Sequence, residues 1–182
     1  MQNDMILAGF GGQGVLLIGK MLAYAGMKEG KEVSWLPSYG PEMRGGTCNC
    51  TVVVSDKPVG SPVVRTPRIV VALNRPSLDK FEPSVKEKGI LLINSSLINP
   101  TEVSRKDIEV LPIPANDIAK ENGHPRLANM VALGAFVEKT KLVRITSLFE
   151  SFEKILDQRY HPLIPSNIKA VEEGGAFVQS LP

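Results

Sequence analysis

The sequence is poor in thiol and imidazole side chains, with only two cysteines and two histidines in 182 residues. A zinc ion or an iron–sulfur cluster normally takes four protein ligands. Cys48 and Cys50 could supply half of such a site, but His124 and His161 lie far away in sequence. We interpret the cysteines as structural thiols on one face of a half-buried strand. We therefore predict no metal site, and no iron–sulfur cluster or other cofactor held by this chain alone.

The chain also lacks an excess of charge of either sign and any long apolar run. Its 21 Lys and Arg against 19 Asp and Glu leave a formal net charge of +2, which is too balanced to attract nucleic acid or an anionic membrane surface. The first apolar run stops at the glycines from Gly9, so we predict neither a signal peptide nor a membrane span. We expect a cytoplasmic protein with no nucleic-acid partner and no membrane partner.

The order of apolar segments predicts an α/β fold. Short buried strands alternate with helices along the first two thirds of the chain, and helices dominate the last third. We predict one domain over residues 1–182, a three-layer α/β/α domain with a mostly parallel, locally mixed sheet and a helical C-terminal part over about residues 142–182. We also expect residues 59–64 to form a hairpin with the strand before them, and Gly174-Gly175 to interrupt the last helix.

A glycine-rich segment, Gly-Phe-Gly-Gly-Gln-Gly at residues 9–14, lies between the first predicted strand and the first predicted helix. Glycines allow a tight turn and a close ligand approach, and a helix N-terminus offers free N–H groups to an anion. We predict that five residues of this glycine loop bind a cofactor or face an active site: Gly9, Gly11, Gly12, Gln13 and Gly14.

Three interpretations of the glycine loop remain open. A dinucleotide site expects an acidic residue at the end of the second strand, where the sequence instead reads Ser-Trp-Leu-Pro-Ser at residues 34–38. The loop also lacks the Lys-Ser/Thr ending of a phosphate-binding P-loop. It is therefore a structural turn, or it docks a phosphate-bearing cofactor or a partner subunit, with a dinucleotide as the disfavoured third choice.

Two further segments supply candidate residues, although neither identifies a catalytic group. Residues 37–46 form a long predicted loop, in which the planar fork of Arg44 suits a phosphate or carboxylate; the alternative is that Glu42 and Arg44 merely face water or each other. Asn74 and Arg75 follow a buried strand at the edge where open α/β sheets bind ligands, or they simply help to start a helix. The candidates from these segments are Tyr39, Gly40, Glu42, Arg44, Gly45, Asn74 and Arg75.

Together, the glycine loop and Pro-Ser-Tyr-Gly-Pro-Glu-Met-Arg-Gly-Gly at residues 37–46 resemble the gamma subunit of 2-oxoacid:ferredoxin oxidoreductases. The resemblance extends through Ala-Leu-Asn-Arg-Pro-Ser-Leu at 72–78 to Arg-Leu-Ala-Asn-Met at 126–130, and covers roughly residues 5–137. It implies a non-autonomous subunit of an enzyme that oxidatively decarboxylates a 2-oxoacid to an acyl-coenzyme A and passes electrons to ferredoxin.

The resemblance also implies partners and cofactors. Alpha, beta and delta subunits would complete the enzyme, and thiamine diphosphate and the iron–sulfur clusters would belong mainly to them, with this chain on the coenzyme A side. The short, separate gamma form is most similar to the 2-oxoglutarate branch; pyruvate, ketoisovalerate and indolepyruvate enzymes are the competitors. An autonomous nucleotide-binding oxidoreductase and a non-catalytic docking module remain the alternatives from other classes.

Overall fold

A six-stranded sheet runs through the computed structural model, which describes residues 2–39 and 47–181. The strands are β1 (Gln2–Phe10), β2 (Glu32–Tyr39), β3 (Thr47–Ser55), β4 (Ile69–Ala72), β5 (Ile90–Asn94) and β6 (Glu109–Ile113). Their order across the sheet is β2-β3-β1-β4-β5-β6. β1, β4, β5 and β6 pair in parallel, whereas β3 is antiparallel to both of its neighbours. The prediction of a mostly parallel, locally mixed sheet is confirmed.

Helices cover both faces of the sheet. They are α1 (Val15–Lys28), α2 (Arg75–Phe81), α3 (Ala115–Glu121), α4 (Ala128–Thr140), α5 (Ile145–Ile155) and α6 (Ile164–Gln179). Side chains alternate across β1, so that Met5 and Leu7 pack with α1 and the C-terminal helices while Ile6 and Ala8 pack toward α2. Because both faces of β4 are covered, its residues are all apolar and buried. The three-layer prediction is therefore also confirmed.

The predicted hairpin after β3 is wrong. Residues 56–68 contain no strand, and β3 pairs instead with β1 and β2, with Cys50 opposite Leu7 on one side and Pro37 on the other. The reason lies in the crossover, because α1 carries the chain from β1 past one strand position to β2. β3 occupies the position between β1 and β2. The sequence around residues 59–64 contains no signal that this position would be taken by β3.

The expected interruption of the last helix is also wrong. Gly174 and Gly175 lie inside a continuous α6. A Cβ atom on Gly174 would overlap the carbonyl oxygen of Val131 in α4, and one on Gly134 would overlap the carbonyl oxygen of Val171 in α6. Glycine is present here because the two helix backbones touch, not because the helix ends.

Candidate functional site

The carboxyl ends of the four parallel strands meet at one edge of the sheet, and the loops that follow them form a single layer. The glycine loop follows β1, Asn74 follows β4, Asn94 ends β5, and Asn116 lies just beyond β6. In open α/β sheets this edge is where ligands bind. The side chains of these loops are joined to one another by hydrogen bonds, so the edge is a structured surface.

Gln13 ties the glycine loop to the loop after β4. Its Oε1 accepts from the backbone N–H of Phe10 at 2.6 Å and from Nδ2 of Asn74 at 3.0 Å, and its Nε2 donates to the carbonyl of Leu73 at 3.4 Å. The side chain fits because residue 9 is glycine, since a Cβ there would lie 2.6 Å from Gln13 Oε1. The predicted residues Gly9, Gln13 and Asn74 are therefore brought together.

Two other glycines of the loop adopt the left-handed backbone conformation, with φ of 100° at Gly12 and 74° at Gly14. Gly14 is the residue before α1, which has no side-chain cap and no acidic residue in its first turn. A Cβ on Gly14 would overlap Nδ2 of Asn129, so α4 packs directly against the loop. Gly11 lies in the same turn and is partly exposed. The first turn of α1 thus keeps backbone N–H groups for an approaching acceptor.

A cleft of about 370 Å³ adjoins the glycine loop. Its lining residues are Gly12, Gln13, Leu73, Asn94, Asn116, Pro125, Arg126, Ala128 and Asn129. Within it, Nδ2 of Asn94 donates to Oδ1 of Asn116 at 2.7 Å and to the carbonyl of Leu73 at 3.5 Å. Arg126 is the only charged side chain among these lining residues; it is exposed and forms no ion pair with any other residue that the structure describes. The cleft is thus neutral and amide-rich inside, with one cation at its rim.

Arg75 is directed elsewhere. Its guanidinium forms ion pairs with Asp79 at 2.7 Å and Glu102 at 2.6 Å, and hydrogen bonds to these two carboxylates raise the pKa of Arg75. Asn74 caps α2, because its Oδ1 accepts from the N–H of Ser77 at 2.9 Å. Asn74 therefore serves both the helix start and the glycine loop, whereas Arg75 does not line the cleft.

The carboxyl end of β2 lies at this same edge of the sheet. β2 extends to Tyr39, whose backbone pairs with Cys48, and Cys48 pairs on its other side with Gly9. Tyr39 is therefore two strand spacings from the glycine loop, or about 10 Å. The candidates Gly40, Glu42, Arg44 and Gly45 lie outside the described residues, so their roles stay predictions from the sequence.

Both cysteines are free thiols in β3. Cys50 is buried and lies close to the carbonyl of Val15, at 3.7 Å. Burial raises the pKa of Cys50 to about 12, although the neighbouring Trp35 indole lowers it in part, and burial also raises the pKa of Cys48. Thiols with raised pKa values are protonated at neutral pH and are poor nucleophiles.

No metal site is found within residues 2–39 and 47–181, where no three His, Cys, Asp or Glu side chains come together as ligands. In the same part of the chain, no helix is both long and apolar enough to cross a membrane.

The strand order bears on the dinucleotide interpretation. In dinucleotide-binding folds the second strand lies beside the first, and an acid at its end holds the ribose. Here β3 occupies that position and runs antiparallel. Residues 34–39, at the end of β2, contain no acidic residue. Among the described residues, therefore, no acidic side chain at the end of β2 lies beside the glycine loop to bind a ribose.

Sequence reasoning predicted only Gly12 and Gln13 among the lining residues; the polar residues that it did not assign to this site are Asn94, Asn116, Arg126 and Asn129. One signal was available, because asparagine recurs at the carboxyl end of three successive parallel strands: Asn74, Asn94 and Asn116. No strand end marks Arg126 and Asn129, which lie just before and just inside α4, although both belong to the segment at residues 126–130 that carries the family resemblance.

The chain is similar to a set of known proteins over nearly its whole length. Residues 4–177 match the family model described as pyruvate ferredoxin/flavodoxin oxidoreductase. A 2-oxoglutarate synthase subunit KorC from Methanocaldococcus jannaschii is 38% identical over 184 residues, which covers 100% of this chain and 96% of that protein. A crystal structure of a keto/oxoacid ferredoxin oxidoreductase gamma subunit from Geobacter sulfurreducens PCA aligns with a TM-score of 0.82 at 28% identity, covering 98% of this chain and 99% of the other.

Another relative is much longer. The ketoisovalerate oxidoreductase subunit VorA of Methanothermobacter marburgensis is 41% identical over 181 residues, covering 95% of this chain. The chain spans only 36% of the length of that protein. The same unit thus occurs as a separate chain in some relatives and as part of a longer chain in others.

Proposed function

The chain belongs to the pyruvate ferredoxin/flavodoxin oxidoreductase family, and on that premise we propose that it is the gamma-type subunit of a 2-oxoacid:ferredoxin oxidoreductase. The resemblance carried by the glycine loop and residues 37–46 is confirmed at the level of the family. The observation that carries the proposal is the end-to-end match to KorC, which covers 100% of this chain and 96% of that subunit.

The substrate we propose is 2-oxoglutarate. The KorC relative is named for 2-oxoglutarate and matches over the full length of both chains, whereas the ketoisovalerate relative is matched over 36% of its own length. The support for this choice is the shared length and not the identity, since KorC is 38% identical and VorA 41%. Substrate-contacting residues of the assembled enzyme would lie largely on other subunits. The reaction is the oxidative decarboxylation of the 2-oxoacid to its acyl-coenzyme A, with electrons passed to ferredoxin.

Within such an enzyme, this chain would serve the coenzyme A side of the active site. Thiamine diphosphate supplies the decarboxylation chemistry and iron–sulfur clusters carry the electrons, and we assign both to the alpha, beta and delta partners. The residues of this chain would bind and orient the thiol substrate. The glycine loop supports this role, because Gly12 and Gly14 add no side chains of their own at the N-terminus of α1. Arg126 at the rim of the cleft is placed to meet a phosphate or carboxylate.

Residues 1–182 would act as one domain within a heteromeric complex. The glycine loop, the cleft beside it and residues 39–46 would face the neighbouring subunits. Ferredoxin would meet the complex rather than this chain. An assembly that delivers electrons to ferredoxin works in the cytoplasm, and that is where we propose the chain acts.

Reconstitution tests the proposal. The chain is combined with candidate thiamine-binding and ferredoxin-like subunits from the same organism, and viologen reduction is measured with 2-oxoglutarate, pyruvate or 3-methyl-2-oxobutanoate, with and without coenzyme A. We expect coenzyme-A-dependent reduction, fastest with 2-oxoglutarate, that is lost when this chain is omitted. Activity from the chain alone would support an autonomous oxidoreductase, and full activity without it would contradict the proposal.

A further inference from the structure

A second cavity, of about 330 Å³, lies at the edge of the sheet opposite the glycine loop. Three of its lining residues mark that edge, because Asn3 lies near the start of β1, Arg68 directly precedes β4 and Ile90 starts β5. These strands are parallel neighbours, so their amino ends meet there. Asn3 and Gly9 both belong to β1, and the strand between them spans about 20 Å. The cavity is therefore separate from the cleft beside the glycine loop.

Basic side chains dominate the lining of this cavity. They are Lys31, Arg68, Lys139 and Lys141, whereas Asp56 is the one acidic residue among the described residues that line it. Asp56 is itself engaged in an interaction within the chain. The lining thus carries four positive charges against one negative charge, and that excess favours an anionic ligand.

The three lysines are held by carboxylates that do not line the cavity. Lys31 pairs with Glu29, Lys139 with Glu109 and Lys141 with Glu138. Nζ of Lys31 also donates to the carbonyl of Leu142 at 2.5 Å. These contacts offset part of the positive charge, but they also restrict the lysine side chains, so a ligand would lose less entropy in ordering them.

Arg68 is the cation that is left for a ligand. Its side chain is exposed and forms no ion pair with any other residue in the ranges 2–39 and 47–181. Its backbone is fixed at the sheet edge, because its N–H donates to the carbonyl of Asp4 at 3.0 Å and its carbonyl accepts from the N–H of Ile90 at 2.9 Å. The guanidinium therefore extends from a rigid position beside the three lysines.

Lys141 has an unusual backbone conformation for a lysine. It follows α4 with φ of 49°, in the left-handed region, where helix ends usually have glycine because a side chain there is strained. Lys88, with φ of 60°, is the one other such non-glycine residue among those described. The charge of Lys141 also complements the C-terminus of α4, so stability and ligand binding have to be measured separately.

We propose that this cavity binds a small multivalent oxyanion, with Arg68 as its main contact and Lys31 and Lys141 as supporting cations. The planar fork of arginine suits a phosphate or carboxylate, and lysines add point charges. The volume is within the usual size of small-ligand sites, about 300–1,000 Å³. The proposal is independent of the proposed function, because the cavity shares no lining residue with the cleft beside the glycine loop.

NMR titration of the full ¹⁵N-labelled chain tests whether the site exists. Pyrophosphate and citrate are added separately at constant ionic strength, and the backbone amide signals are followed. We expect saturable shifts at Lys31, Arg68 and Lys141 with a dissociation constant below about 1 mM for at least one probe. A response to pyrophosphate alone indicates a phosphate ligand, and a response to citrate alone indicates a polycarboxylate. Signals at these residues that show no saturation by about 10 mM of either probe, or saturable shifts confined to the glycine loop, overturn the proposal.

Arg68→Gln and Arg65→Gln form a matched pair of variants. Both residues are exposed and lie in the same connection before β4, but only Arg68 lines the cavity. Each change removes one positive charge, so the general attraction for anions falls equally. We expect Arg68→Gln to bind the responding probe about tenfold more weakly, as for a lost charge-assisted hydrogen bond, and Arg65→Gln to bind it within about twofold of the wild type. An equal loss in both variants would mean a general surface attraction and would overturn the site.

A second pair, Lys141→Gly and Lys88→Gly, separates binding from stability. Both lysines have a left-handed backbone that glycine adopts without strain, so both variants should unfold at about the same urea concentration as the wild type. Lys88 does not line the cavity. We expect Lys141→Gly to bind the probe about threefold more weakly, as for one exposed ion pair, and Lys88→Gly to bind it normally. Unchanged affinity in Lys141→Gly would mean that this lysine serves only the helix end, and would contradict the site as proposed.

Discussion

Nδ2 of Asn74 donates a 3.0 Å hydrogen bond to Oε1 of Gln13, and so joins two loops that are 61 residues apart in sequence. One of these loops follows β1 and the other follows β4, which are parallel neighbours in the sheet. Gln13 therefore has a role that a plain glycine turn would not need. It holds the glycine loop against the next strand and fixes one wall of the cleft.

Replacement of Gln13 by alanine should cost both stability and activity. The change removes three hydrogen bonds and leaves the N–H of Phe10 without its acceptor, so we expect a loss of about 1–3 kcal/mol in the free energy of unfolding. In the reconstituted enzyme the KM for coenzyme A should rise. Chemical denaturation and steady-state kinetics measure the two effects. Gln2→Ala is the control, since Gln2 is exposed and should change stability by less than about 0.5 kcal/mol. Equal stability of the two variants would contradict the role given to Gln13.

Gly14 and Gly30 form a matched pair, because both have φ of 74°. Gly30→Ala meets no atom within 4 Å, so its cost should be the backbone strain alone, about 1–2 kcal/mol. Gly14→Ala adds an overlap with Asn129 and should be clearly more destabilising. Urea unfolding of both variants measures the difference. If Asn129→Ala in the Gly14→Ala background does not restore part of the loss, the overlap is not its cause.

Adjacent glycines in α6 should respond in opposite directions. Gly174→Ala forces a methyl group into the backbone of α4, and such overpacking costs about 1–3 kcal/mol. Gly175→Ala meets nothing closer than 3.7 Å and should stabilise by about 0.5–1 kcal/mol, because alanine favours a helix over glycine. Thermal and chemical unfolding of the two variants measure these changes. A single unfolding transition by both methods is also what a one-domain chain should show. Destabilisation of equal size at both positions would mean that the close helix contact is not the cause.

The cysteines should react slowly and in a defined order. Burial raises the pKa of both thiols, more so for Cys50, so at pH 8 an alkylating reagent should label Cys48 slowly and Cys50 only on unfolding. Since the pKa of Cys50 rises from 9.0 to about 12 on folding, the folded state is favoured below pH 9, and this contribution should be lost as the pH rises from 9 to 12. Mass spectrometry of the Cys48→Ser and Cys50→Ser chains assigns each labelling rate to one cysteine. Between pH 9 and pH 12, the Cys50→Ser chain should lose less unfolding free energy than the wild type. Rapid labelling of native Cys50 would contradict its burial.

Arg44→Ala is a prediction from the sequence alone. Glycines surround Arg44, and its planar fork suits a phosphate or carboxylate. In the reconstituted enzyme we expect a higher KM for coenzyme A or a lower turnover, equivalent to about 1.5–3 kcal/mol. The thermal midpoint of the isolated chain should hardly move. Unchanged kinetics in a normally assembled enzyme would make Arg44 a plain surface residue, and failed assembly would make the loop a docking surface.

The architecture was largely predictable because it depends on local patterns. β4 and β5 are short apolar runs that only a buried strand explains, and the glycine loop lies between a strand and a helix as its motif requires. The two errors concerned residues whose state depends on distant partners. Residues 59–64 do not pair with β3, because β3 already has a strand on each side. Glycine is required at position 174 because the backbone of α4 lies against it.

The sequence by itself determined the fold class, the family and the position of the glycine loop, since periodicity and motif spacing are properties of neighbouring residues. Only the tertiary structure decided the composition of the cleft. Asn94, Asn116 and Asn129 come from three different elements, and they line one cleft because β5 ends and α3 and α4 begin at the same edge of the sheet. Which of these amides form hydrogen bonds with one another depends on every group packed around them, and no local stretch of sequence contains that information.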